Sequence, residues 1–218
     1  TGNEVIEYFK VLLKALSLLS PQLAQKTNHI PHGMVRLPSG KMSSRSGNVI
    51  TASDLLDEVF AKIFKNYPEM TKDSLEIVTV GAVKYALLKN NIGGDVVFNL
   101  DESISLSGNS GPYLQYAGAR IQSILSKLKT QKSKIKIEIT NHKSLILNQE
   151  EEQLLRILIQ FPKIVEESAI NLSPNTIAQY LFELAQAFNL FYQKHKIIES
   201  ENQEFRLSLT QGVGQTIK

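Results

Sequence analysis

The sequence predicts a mixed α/β segment followed by an all-helical bundle, and three observations carry that expectation. Apolar residues recur at steps of three and four through most of the chain, as helices that bury one face require. Short apolar stretches, one at 28–36 broken by glycine and proline and one at 96–98, lie in the first half. From Ser110 onward, helix-start signals alternate with apolar seams. The change falls near residues 95–108, which gives domains of 1–100 and 101–218.

Taken in order, residues 4–20 read as a helix with Val5, Phe9, Leu12, Leu16 and Leu19 on one face, ended by Ser20-Pro21. The stretch 28–36 is too short and too broken for a helix, and Pro38-Ser39-Gly40 signals a turn. Ser53 and Asp54 are expected to cap a helix carrying Leu56, Val59, Phe60 and Ile63. A third helix spans 72–90 and breaks at Asn90-Asn91-Ile92-Gly93-Gly94, and Val96-Val97-Phe98 reads as briefly extended.

Ser110-Gly111-Pro112 opens a helix with face Leu114, Ala117, Ile121, Ile124 and Leu128. Six lysines between 127 and 143 read as a solvated linker, with a contact to an RNA backbone as the second reading. Asn148 and Glu151 have capping-box spacing before Leu154, Leu155, Leu158 and Phe161, and Pro162 is expected to interrupt that helix. Ser173-Pro174 supplies a capping hydroxyl and a first-turn proline before the seam Ile177, Leu181, Leu184, Phe188 and Phe191. A last helix starts near Gln203 and is still periodic at Ile217, so it is expected to continue past Lys218.

Composition excludes more than it identifies. The 218 residues suffice for one large domain or two small ones, and 42% of them are hydrophobic, enough for a real core. No apolar run reaches the length of a membrane-spanning helix. The acidic, amphipathic start does not resemble a signal peptide, and without an initial Met the chain reads as cut from a longer one. Cysteine is absent, which removes disulfides and thiolate metal sites and fits a cytoplasmic setting. His29 and His32 lack further ligands at suitable spacing, so hydrogen-bonded histidines are expected and no bound metal. A net charge of +3 is too small to diagnose nucleic-acid binding.

Three segments carry chemistry. Lys41-Met42-Ser43-Ser44-Arg45-Ser46-Gly47-Asn48 offers hydroxyls, backbone N–H groups and two cations, a set suited to polyphosphate. Gly108 to Ile121 places Tyr113, Gln115, Tyr116 and Arg120 beside an apolar seam, with Tyr116 and Arg120 four apart on one helix face. Aromatic rings stack on bases and arginine pairs with phosphate. In the third segment, Phe188 and Phe191 belong to the core, while Asn189 and Tyr192 lie off the seam and are the better RNA candidates.

Together these segments resemble the arginyl-tRNA synthetase family of class I. The first resembles its KMSKS loop, the second its GPYLQYAHAR signature, and the third, through Arg206, its helical DALR-type anticodon-binding domain. The resemblance covers nearly the whole chain. It implies the C-terminal end of a Rossmann-like α/β catalytic domain followed by an all-α anticodon-binding bundle, truncated at its C-terminus. The activity implied is arginine–tRNA ligation. The substrates implied are arginine and ATP with Mg2+: arginine and ATP form arginyl-adenylate, pyrophosphate leaves, and the arginyl group passes to tRNA(Arg). No prosthetic group is implied, and the parent is expected to be monomeric.

By the same resemblance, Lys41, Ser43, Ser44 and Arg45 are catalytic, and His32, Gly33, Lys41, Met42 and Ser43 bind ATP. Tyr113, Gln115, Tyr116, Arg120, Asn189, Tyr192 and Arg206 bind tRNA. Two departures stand out: Ser44 occupies the place of a second lysine, and Gly118 that of a histidine. Lys41 and Arg45 both remain candidates to meet the pyrophosphate. The HIGH motif is not in these residues, so no catalysis is expected from them alone. The alternatives are a tRNA-binding or interaction module without catalysis and a cysteinyl-tRNA synthetase.

Overall fold

A computed structural model describes residues 1–38, 51–130 and 146–218, with the backbone alone at 128–130. A 3-10 turn at Asn3–Val5 leads into α1 (Ile6–Leu19) and α2 (Pro21–Gln25). Strand β1 (Val35–Arg36), helices α3 (Ala52–Asn66) and α4 (Lys72–Leu88), and strand β2 (Val96–Val97) follow. The remainder is α5 (Leu100–Ser103), α6 (Gly111–Thr130), α7 (Gln149–Ile170), α8 (Pro174–Lys194) and α9 (Gln203–Ile217).

β1 and β2 pair in parallel, Val35 beside Val96 and Arg36 beside Val97, with α3 and α4 forming the crossover. A parallel pair needs such a long connection, because a tight turn reverses the strand. Gly2 adds an isolated parallel bridge to His32. This small sheet is all that the described residues show of the α/β architecture expected from the sequence. Arg36 is salt-bridged to Asp95, and the Met34 N–H donates to Asp95 Oδ1 at 2.9 Å. Val35 and Leu37 pack on a core of Val59, Ile63, Leu75, Ala82 and Phe98.

The helical part is a four-helix arrangement of α6 to α9. Its largest core joins Ile121 of α6, Leu154 of α7, Leu184, Phe188 and Phe191 of α8, and Leu207 and Val213 of α9. A third cluster, with Tyr85, Tyr113, Ala117, Ala178 and Ala185, binds α4 to α6 and α8. Polar contacts reinforce that junction. The Tyr85 hydroxyl reaches Asn109 Oδ1 at 2.5 Å and the Ala178 carbonyl at 2.9 Å, and burial pushes its pKa up to about 12. Lys89 donates to the Asn109 carbonyl at 3.0 Å, and Asn175 donates to Asn91 at 2.8 Å.

Four local expectations change. The first helix buries none of its residues, and Leu12 and Leu19 of its apolar face are exposed, while Phe9 of that face stacks on His29. The cap of α3 is Thr51 rather than Ser53. Its hydroxyl accepts from the Asp54 N–H, and the Asp54 carboxylate accepts from the Thr51 hydroxyl and from the Thr51 N–H; those two bonds, the hydroxyl's first, lower the Asp54 pKa. Pro162 lies inside α7 and does not end it. A helix interior normally rejects proline, but here the helix is held by α8, with Tyr180 stacked on Phe161 at 5.7 Å and donating to the Ile157 carbonyl at 3.0 Å. Ser173 precedes α8 as expected, but its hydroxyl contacts Thr176 Oγ1 at 3.1 Å and caps no N–H.

Candidate nucleic-acid interface

The interface candidates on α6 and α8 converge on one arginine. Ser110 sets α6 in place: its hydroxyl donates to the Ser105 carbonyl and accepts from the Tyr113 N–H at 3.2 Å. One turn further, Tyr116 and Arg120 stack along the same face, as their four-residue spacing requires. On α8, Asn189 and Tyr192 come within reach of that face.

Arg120 Nη1 donates to Asn189 Oδ1 at 2.5 Å, and Nη2 donates to the Tyr116 hydroxyl at 2.9 Å. Its guanidinium lies 4.6 Å from the Tyr116 ring centroid and 5.0 Å from that of Tyr192. Both distances are within cation–π range, so the charge is held between two aromatic rings. Tyr116 is 46% exposed and Tyr192 41% exposed, so each ring offers surface to a ligand. An arginine between two exposed tyrosines presents π surface for bases and positive charge for phosphate.

Asn189 is buried and does not face solvent. Its Nδ2 donates to the Tyr113 hydroxyl at 2.8 Å while its Oδ1 receives Arg120, so its amide fixes the guanidinium from inside. Tyr113 is also buried, edge-on to Phe182 at 5.5 Å. Gln115 donates from Nε2 to the Ile77 carbonyl of α4 at 3.1 Å, which ties the two parts of the molecule together. Tyr113 and Asn189 thus hold Arg120 in place from the interior, and Gln115 fixes α6 on α4.

Arg206 lies in a different cluster. Its Nε donates to Glu151 Oε1 at 2.7 Å and its Nη1 donates to the Lys196 carbonyl at 2.7 Å. The Glu151 side chain is 1% exposed and that of Arg206 14%. Glu150, its neighbour in the first turn of α7, accepts from Lys194 at 2.5 Å and contacts His195 Nε2 at 3.0 Å. Those two hydrogen bonds, Lys194 first, hold the Glu150 carboxyl down to about 2. Two adjacent carboxylates therefore clasp the end of α8 and the start of α9. Sequence spacing did not reveal this clasp. The acidic first turn of α7 is its one local trace.

At the other end of the chain, Lys41, Met42, Ser43, Ser44 and Arg45 lie outside the described residues. Gly33 runs so close to Gly94 that a Cβ on it would sit 1.9 Å from the Gly94 carbonyl oxygen, so only glycine fits. His32 is exposed, with Nδ1 3.2 Å from the Gly33 carbonyl. His29 stacks on Phe9 at 3.9 Å and contacts Thr1 Oγ1 at 2.6 Å. Among the described residues no group of three or more His, Cys, Asp or Glu is placed to hold a metal ion. Among them, too, no helix is long and apolar enough to cross a membrane.

Comparison with known proteins adds a family context. Residues 114–218 match the model of the DALR anticodon binding domain. The chain is 42% identical over 210 residues to an arginine–tRNA ligase of Treponema denticola, covering 92% of this chain and 36% of that protein. It is 38% identical over 226 residues to the enzyme of that name from Borrelia hermsii, covering 100% of this chain and 38% of that protein. Among solved structures, Thermus thermophilus arginyl-tRNA synthetase superposes with a TM-score of 0.76 at 28% identity, covering 94% of this chain and 36% of that one. The chain therefore spans little more than a third of the length of the relatives it matches.

Proposed function

Because the chain belongs to the arginyl-tRNA synthetase family and carries that family's DALR anticodon-binding domain, we propose that it serves an arginine–tRNA ligase by binding tRNA(Arg). The relatives' names favour the arginyl reading over the cysteinyl one. The observation that carries the proposal is the exposed Tyr116–Arg120–Tyr192 stack within the matched domain. Tyr116 and Tyr192 present their rings to loop bases, and Arg120 supplies charge toward the backbone. Asn189 and Tyr113 hold Arg120 in place, so less ordering is needed when RNA binds.

The complete enzyme uses ATP with Mg2+ to convert arginine to arginyl-adenylate, releasing pyrophosphate, and then transfers the arginyl group to tRNA, releasing AMP, in the cytoplasm. In this reading residues 1–100 finish a Rossmann-like catalytic domain. His32 and Gly33 border the nucleotide, and the 41–45 segment meets its phosphates. Lys41 or Arg45 offsets the charge that builds on departing pyrophosphate, Ser43 and Ser44 donate to phosphate oxygens, and Met42 contacts the nucleotide. The resemblance of that segment to a KMSKS loop supports these roles.

Fluorescence anisotropy with labelled tRNA tests the proposal. The chain is expected to prefer tRNA(Arg) to a tRNA of different anticodon. Equal affinity for both, or none for either, contradicts it.

A further inference from the structure

Beside the Tyr116–Arg120–Tyr192 stack lies a second feature with its own chemistry. A cleft of about 340 Å³ opens where the last turns of α6 and α8 meet. Lys127 enters it from α6, Tyr192 and Lys194 from α8, and His195 and Lys196 from the connection that follows. We propose that this cleft is a subsite for backbone phosphate of a bound RNA strand, an inference that rests on the RNA-binding reading above.

Charge is the first argument. Glu150 engages Lys194 and His195, and Lys196 beside them adds a charge that this carboxylate does not meet, so this side of the cleft is positive whether or not His195 is protonated. Lys194 and His195 both engage Glu150. The Lys196 ammonium is salt-bridged to no acid among the described residues. A helix C-terminus favours cations by itself. That accounts for a lysine at the end of each helix, but not for lysines of two helix ends and a connecting loop lining one cleft.

Rigidity is the second argument. Arg206 donates to the Lys196 carbonyl at 2.7 Å while bound to buried Glu151, so Lys196 projects from an anchored backbone. A preorganised cation loses less freedom on binding phosphate than one on a free loop.

Position is the third. Tyr192 lines the cleft and also faces Arg120, with 5.0 Å between that guanidinium and its ring. A nucleotide whose base stacks on Tyr192 therefore has its backbone at the cleft. An acidic peptide matches the charge but gives no reason for the aromatic ring at the border, so RNA is the better fit.

The experiment uses the 218-residue chain and a short stem–loop RNA carrying an arginine anticodon. Binding is measured across a KCl series for the parent chain and for Lys196→Ala, Lys127→Ala, Lys72→Ala and Tyr192→Ala. Each cleft variant is expected to lower the slope of log K against log [salt] by about 0.7, one single-strand phosphate contact. Preference over a stem–loop with a scrambled anticodon is expected to be unchanged. Lys72→Ala, at the exposed start of α4, leaves the slope alone, and Tyr192→Ala lowers affinity without changing it.

If the cleft variants keep the parent slope while Tyr192→Ala still weakens binding, the phosphate subsite is wrong and the RNA-binding reading survives. If the parent chain does not bind the stem–loop, both fall. If the cleft variants lose affinity for polyglutamate but not for RNA, the cleft is an acidic-peptide site and the proposal is wrong.

Discussion

Arg120 and Arg206 sit in the same helical bundle, and the sequence offers the same reading for both: a cation beside an apolar seam, directed at RNA. The structure gives them opposite surroundings. Arg120 lies between two half-open tyrosine rings with one amide behind it. Arg206 is almost enclosed, with Glu151 and a main-chain carbonyl as its partners. Solvation separates their roles. A charge against exposed rings can exchange them for a ligand, whereas one neutralising a buried carboxylate cannot leave without stranding its partner.

That contrast is sharpest in stability. Arg206→Ala leaves Glu151 buried and unpaired, and a loss of about 3–5 kcal/mol is expected in denaturant unfolding. Unchanged stability with weakened RNA binding would break the comparison and make Arg206 an RNA contact. Asn189→Leu removes the amide that serves both Tyr113 and Arg120. It is expected to cost about 1–3 kcal/mol and to weaken RNA binding as well, because Arg120 loses its anchor. A variant that melted earlier but bound RNA normally would show that Arg120 does not need that anchor.

Smaller changes test the surroundings. Gly118 sits in α6 with only Ile217 Cγ2, at 3.9 Å, near the position of an added Cβ. Gly118→Ala is expected to stabilise the chain by about 1 kcal/mol and to leave RNA affinity unchanged. Acid addresses the clasp. The Glu150 carboxyl is held at about 2, below its ordinary 4.5, so its contribution is complete above pH 4.5 and is lost as pH falls toward 2. Glu150→Gln is expected to remove that part of the acid sensitivity, read as melting temperature against pH. An identical acid profile in the variant would mean that Glu150 does not fasten the end of α8.

What the sequence disclosed was local. Asn148 and Glu151 form the expected capping box because each needs only the other. Leu184, Phe188 and Phe191 are fully buried, as their periodicity requires. Tyr116 and Arg120 meet because one turn of helix brings them together. The rest depends on contacts between distant segments. Asn189 looked like a surface residue because it lies off the seam of α8, yet α6 covers it, and its partner Arg120 is 69 positions away. Pro162 looked like a helix end because the sequence does not show α8 packed against it. Arg206 carried no mark to distinguish a clasp from a contact, since its carboxylate lies 55 positions earlier.

The most direct test of the exposed stack is a double variant, Tyr116→Ala with Tyr192→Ala, assayed for stem–loop binding and for melting on the same sample. Base stacking on an aromatic ring is worth about 1–3 kcal/mol, so the pair should weaken binding at least tenfold. Because both rings are well exposed, the melting temperature should stay close to that of the parent chain. Undiminished affinity with intact melting would contradict the claim that these two rings and Arg120 form the RNA-binding face.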